Sequence, residues 1–257
     1  MKLLKRGKLL VVLGFIVFSL LLAGCSADPN LSVPGMTLSI AQDGSPAEVT
    51  SGVQLLVLLT ILSLAPSIII LATSFTRIVI VLSMLRSAIG TPSIPPNQVI
   101  IGLSLILTFY IMAPVYDQVN KDAIQPYLSN QIDQQTAITR GMEPIRDFMF
   151  KQTREKDIQL FIDLGKEPQP ASLSEIKTVV LLPAFVISEL RVAFTMGFVI
   201  YIPFLIIDMV ISSLLLSLGM MMLPPSLVSL PFKLLLFVSV DGWYLITRSL
   251  VMSFGGS

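Results

Sequence analysis

Three long stretches of this chain are almost free of charge. Val53–Leu85 carries one charged residue, Arg77, and one breaker, Pro66. Val179–Met222 carries Glu189, Arg191 and Asp208, and Ser226–Phe254 carries Lys233, Asp241 and Arg248. A shorter run, Gln98–Met112, has no charge at all. A bilayer admits such segments only as helices or closed barrels, because every backbone polar group must be satisfied internally. No strand-like alternation is sustained anywhere, which removes the barrel. The expected fold class is all-α, an integral membrane protein of helical hairpins kinked or broken by proline. Composition agrees: 54% of residues are hydrophobic and 13% charged, about half the charged share of a soluble domain. A disordered chain and a water-exposed globule are both excluded.

The charge sits elsewhere. Lys2, Lys5, Arg6 and Lys8 precede an apolar run, Leu9–Ala23, too short to span comfortably, which reads as a secretory signal peptide. It ends Leu22-Ala23-Gly24-Cys25, like the lipobox of a bacterial lipoprotein. Cys25 would then be lipidated; ordinary cleavage near Ala23 or Ala27 is the other reading. Cleavage leaves 13 basic against 16 acidic side chains, so nothing supports a nucleic-acid partner. Residues 116–178 hold 8 basic and 10 acidic residues, with apolar positions such as Ile145, Phe148, Met149 and Ile158, Phe161, Ile162 at helical spacing. The expected organisation is a signal peptide over 1–25 and an exported linker over 26–52. A first hydrophobic hairpin follows over 53–115, a polar helical domain outside the cytoplasm over 116–178, and a second hairpin over 179–257. Within these, the sequence places a kink or break near Pro66, an end at Pro114, and breaks at Pro183 and Pro203.

Chemistry is scarce. With no His and one Cys, His-based acid–base catalysis, His metal sites and an intrachain disulfide are gone. No nucleophile elbow, phosphate loop or dinucleotide fingerprint is present. We therefore expect no catalytic, metal or cofactor site, and no enzyme. Glu155 and Asp157 read as a solvated face of a charge-mixed helix. Charges inside apolar segments are costly and need partners. Glu189 and Arg191 lie roughly 200° apart round a helix, so each must look to another helix or another subunit. For Glu189 and Lys233 the reading is buried ion pairs that fix assembly, with an ion or proton path as the alternative. Arg77 and Arg248 are expected to snorkel to the interface. Gly219-Met220-Met221-Met222-Leu223-Pro224-Pro225 marks a helix end running into a loop of adaptable thioether side chains. These could form a soft seal round an axis, or fill gaps in a lipid-facing hairpin.

Several stretches together carry a resemblance: Ser74–Leu82 through Gly90–Gln98, Phe150–Glu155, Leu182–Leu190, Ile202–Asp208, Gly219–Pro225, and Pro231-Phe232-Lys233 to Asp241-Gly242-Trp243. From Val53 onward the chain resembles the FliP family, the bacterial flagellar export-gate proteins with counterparts in virulence type III secretion. The resemblance implies a multi-pass protein of the inner membrane at the flagellar basal body. It implies several copies assembled with FliQ- and FliR-like subunits, beside other membrane proteins of the export apparatus. The assembly would be a closed-at-rest channel for unfolded export substrates. Onto this sequence the family's features fall as follows. Met220, Met221 and Met222 would form a gasket flanked by Gly219, Pro224 and Pro225; Glu189, Lys233 and Arg154 would sit at subunit contacts; Phe148 and Phe161 would pack the polar domain. The hydrophobic hairpins would be partly lifted out of the bilayer. A secondary transporter or ion channel using Glu189, Asp208 and Lys233 within one chain is the alternative.

Overall fold

A computed structural model of the 257-residue chain describes residues 30–33, 36–39, 46–166, 168–170, 172–220 and 222–255. The signal-peptide reading, Cys25 and Met221 lie outside them. Two compact units divide the chain, Met1–Ala65 and Pro66–Ser257. In the first, strands β1 (Asn30–Val33) and β2 (Met36–Ser39) pair antiparallel, with Asn30 opposite Ser39. The expected linker thus contains a hairpin, and helix α1 (Pro46–Leu71) begins before its boundary at residue 52. Leu56, Leu59, Ile61 and Leu62 on α1 are exposed.

The rest is helical: α2 (Phe75–Ile89), α3 (Asn97–Val119), a π turn (Asn120–Ile124), α4 (Gln125–Leu128), α5 (Gln134–Gln152), α6 (Glu155–Gly165), a 3-10 turn (Leu173–Glu175), α7 (Thr178–Ser217), α8 (Pro225–Ser239) and α9 (Gly242–Gly255). Prolines end fewer helices than expected. α1 continues through Pro66 and stops at Leu71, where the Thr73 hydroxyl donates to the Ile70 carbonyl at 2.7 Å. α3 passes Pro114, and α7 runs 40 residues through both Pro183 and Pro203. A proline removes one N–H and crowds one carbonyl, a local defect that a helix held by its neighbours absorbs. Glycine does end helices. Gly90 (φ +89°) and Gly219 (φ +72°) close α2 and α7 in the left-handed conformation. At each, an N–H reaches back five residues, Thr91 to Arg86 and Met220 to Leu215, satisfying carbonyls left open at the helix end.

Two apolar clusters hold the second unit together. In the first, α2 is central: Ile78, Val81, Leu82, Leu85, Ala88 and Ile89 are buried against Ile100 and Leu107 of α3, Ala193 and Phe204 of α7, Phe237 of α8 and Leu250 of α9. α2 and α7 approach closely at Gly197, where a Cβ would overlap the Met84 thioether. The second cluster joins Met112 and Val115 of α3, Phe148 and Met149 of α5, Ile158 and Ile162 of α6, and Val180, Leu181, Ala184 and Phe185 of α7. The polar segment therefore does not have a core of its own. It shares one with the first turns of the long apolar helix.

Two helical runs, Asn97–Leu128 and Thr178–Ser217, are long and apolar enough to cross a membrane. Up to four spans result if each bent pair counts as one, as for α8 and α9, which meet at 63°.

Candidate functional site

Three nodes of paired charge lie inside the second unit, two of them built on charges of the apolar segments. The deepest centres on Arg77, which lies on the same helical stripe as Val81 and Leu85. A stripe that faces the core gives its side chain no route to an interface. Arg77 is accordingly 2% exposed rather than snorkelling. Its Nε donates to Glu189 Oε2 at 2.8 Å and its Nη2 to Glu189 Oε1, a two-pronged pair. Nη2 also donates to Gln152 Oε1 at 2.9 Å, and Nη1 to the Ser253 carbonyl and hydroxyl, each at 3.0 Å. The Phe254 ring covers the guanidinium, 3.8 Å from centroid to Cζ. One arginine thus ties α2, α5, α7 and α9 together.

One residue along α7, Ser188 serves a second node. Its hydroxyl donates to Asp157 Oδ2 at 2.5 Å and accepts from the Arg154 N–H at 3.2 Å. The Arg154 guanidinium grips both oxygens of Asp157, through Nε at 2.9 Å to Oδ2 and Nη2 at 2.8 Å to Oδ1. Asp157 is buried, not on a solvated face as expected. Burial works against its ionisation, but the Ser188 hydroxyl and the Arg154 guanidinium outweigh that and hold its carboxyl below the ordinary aspartate range.

The third node lies farther along α7. Lys233 Nζ donates to Asp208 Oδ2 at 2.6 Å and to the Ala88 carbonyl at 3.3 Å, near the C-terminus of α2 where a cation is favoured. The Ser229 hydroxyl donates to Asp208 Oδ1 at 2.6 Å. Asp208 and Glu189 are 19 residues apart on one helix, about 28 Å.

The subunit-contact role expected of Glu189, Lys233 and Arg154 therefore meets a different arrangement. Each holds a counter-charge inside its own chain, supplied by Arg77, Asp208 and Asp157. Arg191, Asp241 and Arg248 are exposed. Sequence reasoning missed Arg77 and Asp157 as buried partners, and Gln152, Ser188 and Ser229 altogether. Phe148 lies in the second apolar cluster, with its ring 6.0 Å from that of Phe185, and Phe161 packs on the cluster's edge.

The methionine loop is as open as the nodes are closed. α7 ends at Ser217, Gly219 turns the chain, and Pro224-Pro225 starts α8. Met220 is 43% exposed and Met222 98%, the most exposed large apolar side chain among the described residues. No group of three or more His, Cys, Asp or Glu side chains that could hold a metal occurs among the described residues.

The FliP family model matches residues 58–250. A flagellar biosynthetic protein FliP of Bacillus subtilis (strain 168) is 56% identical over 217 residues, covering 84% of this chain and 98% of the relative. Its namesake from Pectobacterium carotovorum subsp. carotovorum is 52% identical over 86% of each chain. One from Aquifex aeolicus (strain VF5) is 47% identical over 86% of this chain and 92% of its own. With three quarters of its length inside the family model and relatives matched almost end to end, the chain belongs to the FliP family.

Proposed function

We propose that the chain is a subunit of the flagellar-type (type III) protein export gate in the bacterial inner membrane. It assembles with further copies of itself and with FliQ- and FliR-like subunits into a channel that is closed at rest and passes unfolded flagellar proteins. The observation that carries this reading is the apolar surface of α7. Beyond the turns that pack on the polar segment, exposed apolar side chains run from Ile187 to Leu218, including Phe194, Phe198, Ile206, Met209 and Leu214. At 1.5 Å per residue that surface is about 46 Å long, whereas a hydrocarbon core is about 30 Å thick. Covering it with lipid alone would need a tilt of about 50°, beyond the roughly 0–40° that spanning helices adopt. Neighbouring protein is the remaining cover.

The internal ion pairs fit the same reading. A subunit whose Glu189 and Asp208 are neutralised within itself presents α7 to its neighbours with one exposed charge, Arg191, along an otherwise apolar flank. The wide separation of Glu189 from Asp208, each with its own partner, disfavours a transporter that gathers them at one substrate site. The Met loop, at the end of α7 and flanked by Gly219 and Pro224, supplies the pliable closure.

Deleting the gene tests the proposal. Cells should lose secreted flagellin and swimming, and a plasmid copy should restore both; unchanged secretion would refute it.

A further inference from the structure

Where the charged segment meets the apolar helices, α3, α5 and α9 enclose a cleft of about 590 Å³, a size typical of ligand sites. Its walls differ in character. Tyr110 and Ile111 of α3 with Val251 and Phe254 of α9 are apolar, whereas α5 contributes Asp147 and Lys151. The Phe254 ring is fixed in place, because the Arg77 guanidinium lies against it and Gln152, also in the cleft wall, bonds to both residues. α5 runs back along α3: Gly141, early in α5, lies against Val119 and Ala123, and Gln152, at its end, meets Arg77. Lys151 therefore sits toward the apolar helices, and Asp147 is one turn, about 6 Å, farther out. Both are exposed, and neither has an ion-pair partner among the described residues. On the inner side, α3 continues with the exposed apolar residues Ile106 and Phe109.

We propose that this cleft binds a glycerophospholipid whose headgroup ends in a primary amine. The order of charges matches such a lipid. Its phosphate, next to the glycerol, meets Lys151, and its terminal ammonium, one short linker farther out, meets Asp147, each through a charge-assisted hydrogen bond. The cleft is smaller than a whole phospholipid, so an acyl chain leaves it past Tyr110 and Val251 and follows Ile106 and Phe109 along α3. A choline headgroup has no N–H to give Asp147. A glycerol headgroup brings the phosphate charge without a cation and leaves Asp147 facing it. The lipid would fasten α9 to α5 beside the Arg77 node, and this holds whether or not the chain serves an export gate.

The test titrates the full chain, purified in mild detergent and stripped of lipid, with ethanolamine-, choline- and glycerol-headgroup phospholipids of identical acyl chains. Native mass spectrometry reads the bound lipid. The ethanolamine lipid should bind at least about tenfold tighter than either other. Lys151→Gln should weaken all of them about tenfold. Asp147→Asn should remove the preference for amine over choline and leave the choline lipid's affinity unchanged. Because both side chains are exposed, each lipid-free variant should keep the Tm of the lipid-free parent. In native membranes, a photoreactive benzophenone amino acid in place of the exposed Tyr110 should capture the ethanolamine lipid. Equal affinity for the different headgroups, or affinities indifferent to both substitutions, would overturn the site and leave only a non-specific lipid coat. Capture of a protein chain by the probe in place of lipid would overturn it too, making the cleft a protein contact.

Discussion

Removing one partner of the Arg77–Glu189 pair should destabilise the subunit itself, before any effect on its neighbours. Both side chains are buried, at 2% and 0% exposure. At the 2.8 Å separation of Arg77 Nε from Glu189 Oε2, two unit charges attract by about 6 kcal/mol in an effective dielectric of about 20. Glu189→Leu forfeits this attraction, while Gln152, the Ser253 oxygens and the Phe254 ring still solvate the guanidinium in part. The net cost should fall at about 3–5 kcal/mol, the usual range for stranding one buried charge. For a protein of this size that is a fall in Tm of at least about 6 °C. Arg77→Met should cost a similar amount. The double variant, with no charge left to strand, should be more stable than either single one, with a coupling of at least about 2 kcal/mol. Thermal unfolding of the purified subunit in mild detergent reads all four proteins. Additive losses would refute the internal pair. So would a Glu189→Leu subunit of unchanged Tm that fails only in assembly, the outcome expected if Glu189 met its partner across a subunit contact.

Other changes bear on separate parts of the account. Gly197→Ala pushes a Cβ into the Met84 thioether and should cost about 1–3 kcal/mol. Met84→Ala in the same chain should recover part of it, and an unchanged Tm for Gly197→Ala would contradict the close approach of α2 and α7. Replacing Met220–Met222 with Ala should let small solutes through the membrane; a tight membrane around a correctly assembled complex would count against the closure. Because the Asp157 carboxyl is held below its ordinary range, its stabilising contribution is complete above about pH 4 and is lost as pH falls through the depressed value. Asp157→Asn should flatten the decline of Tm in that acid range, and an identical decline would refute the Ser188–Arg154 cradle.

The sequence made the helices plain and their ends less so. Uncharged runs forced helices, and Gly219 with Pro224 marked the end of α7 because a left-handed glycine and a following proline both stop a helix. Pro66, Pro114, Pro183 and Pro203 misled, because the one hydrogen bond each removes is a local defect that a long apolar helix runs through. The bend between α8 and α9 was invisible for the opposite reason. It falls at Val240–Asp241, where Asp241, rather than the adjacent Gly242, adopts the positive φ of +49°. The nodes were legible as a demand for partners, not as pairs. Arg77 and Glu189 are 112 residues apart, and no local pattern in either helix names its partner. Asp157 looked solvated because its neighbours Glu155 and Lys156 are; only the placement of Ser188 across from it explains its burial.

The central claim is that α7 exposes about one and a half times the apolar length a bilayer can cover and is finished by other subunits. Native mass measurement of the complex, extracted in mild detergent through a tag on this chain, tests it most directly. The account predicts a particle containing several copies of this chain together with two other kinds of membrane subunit. A single chain surrounded only by lipid and detergent would contradict it.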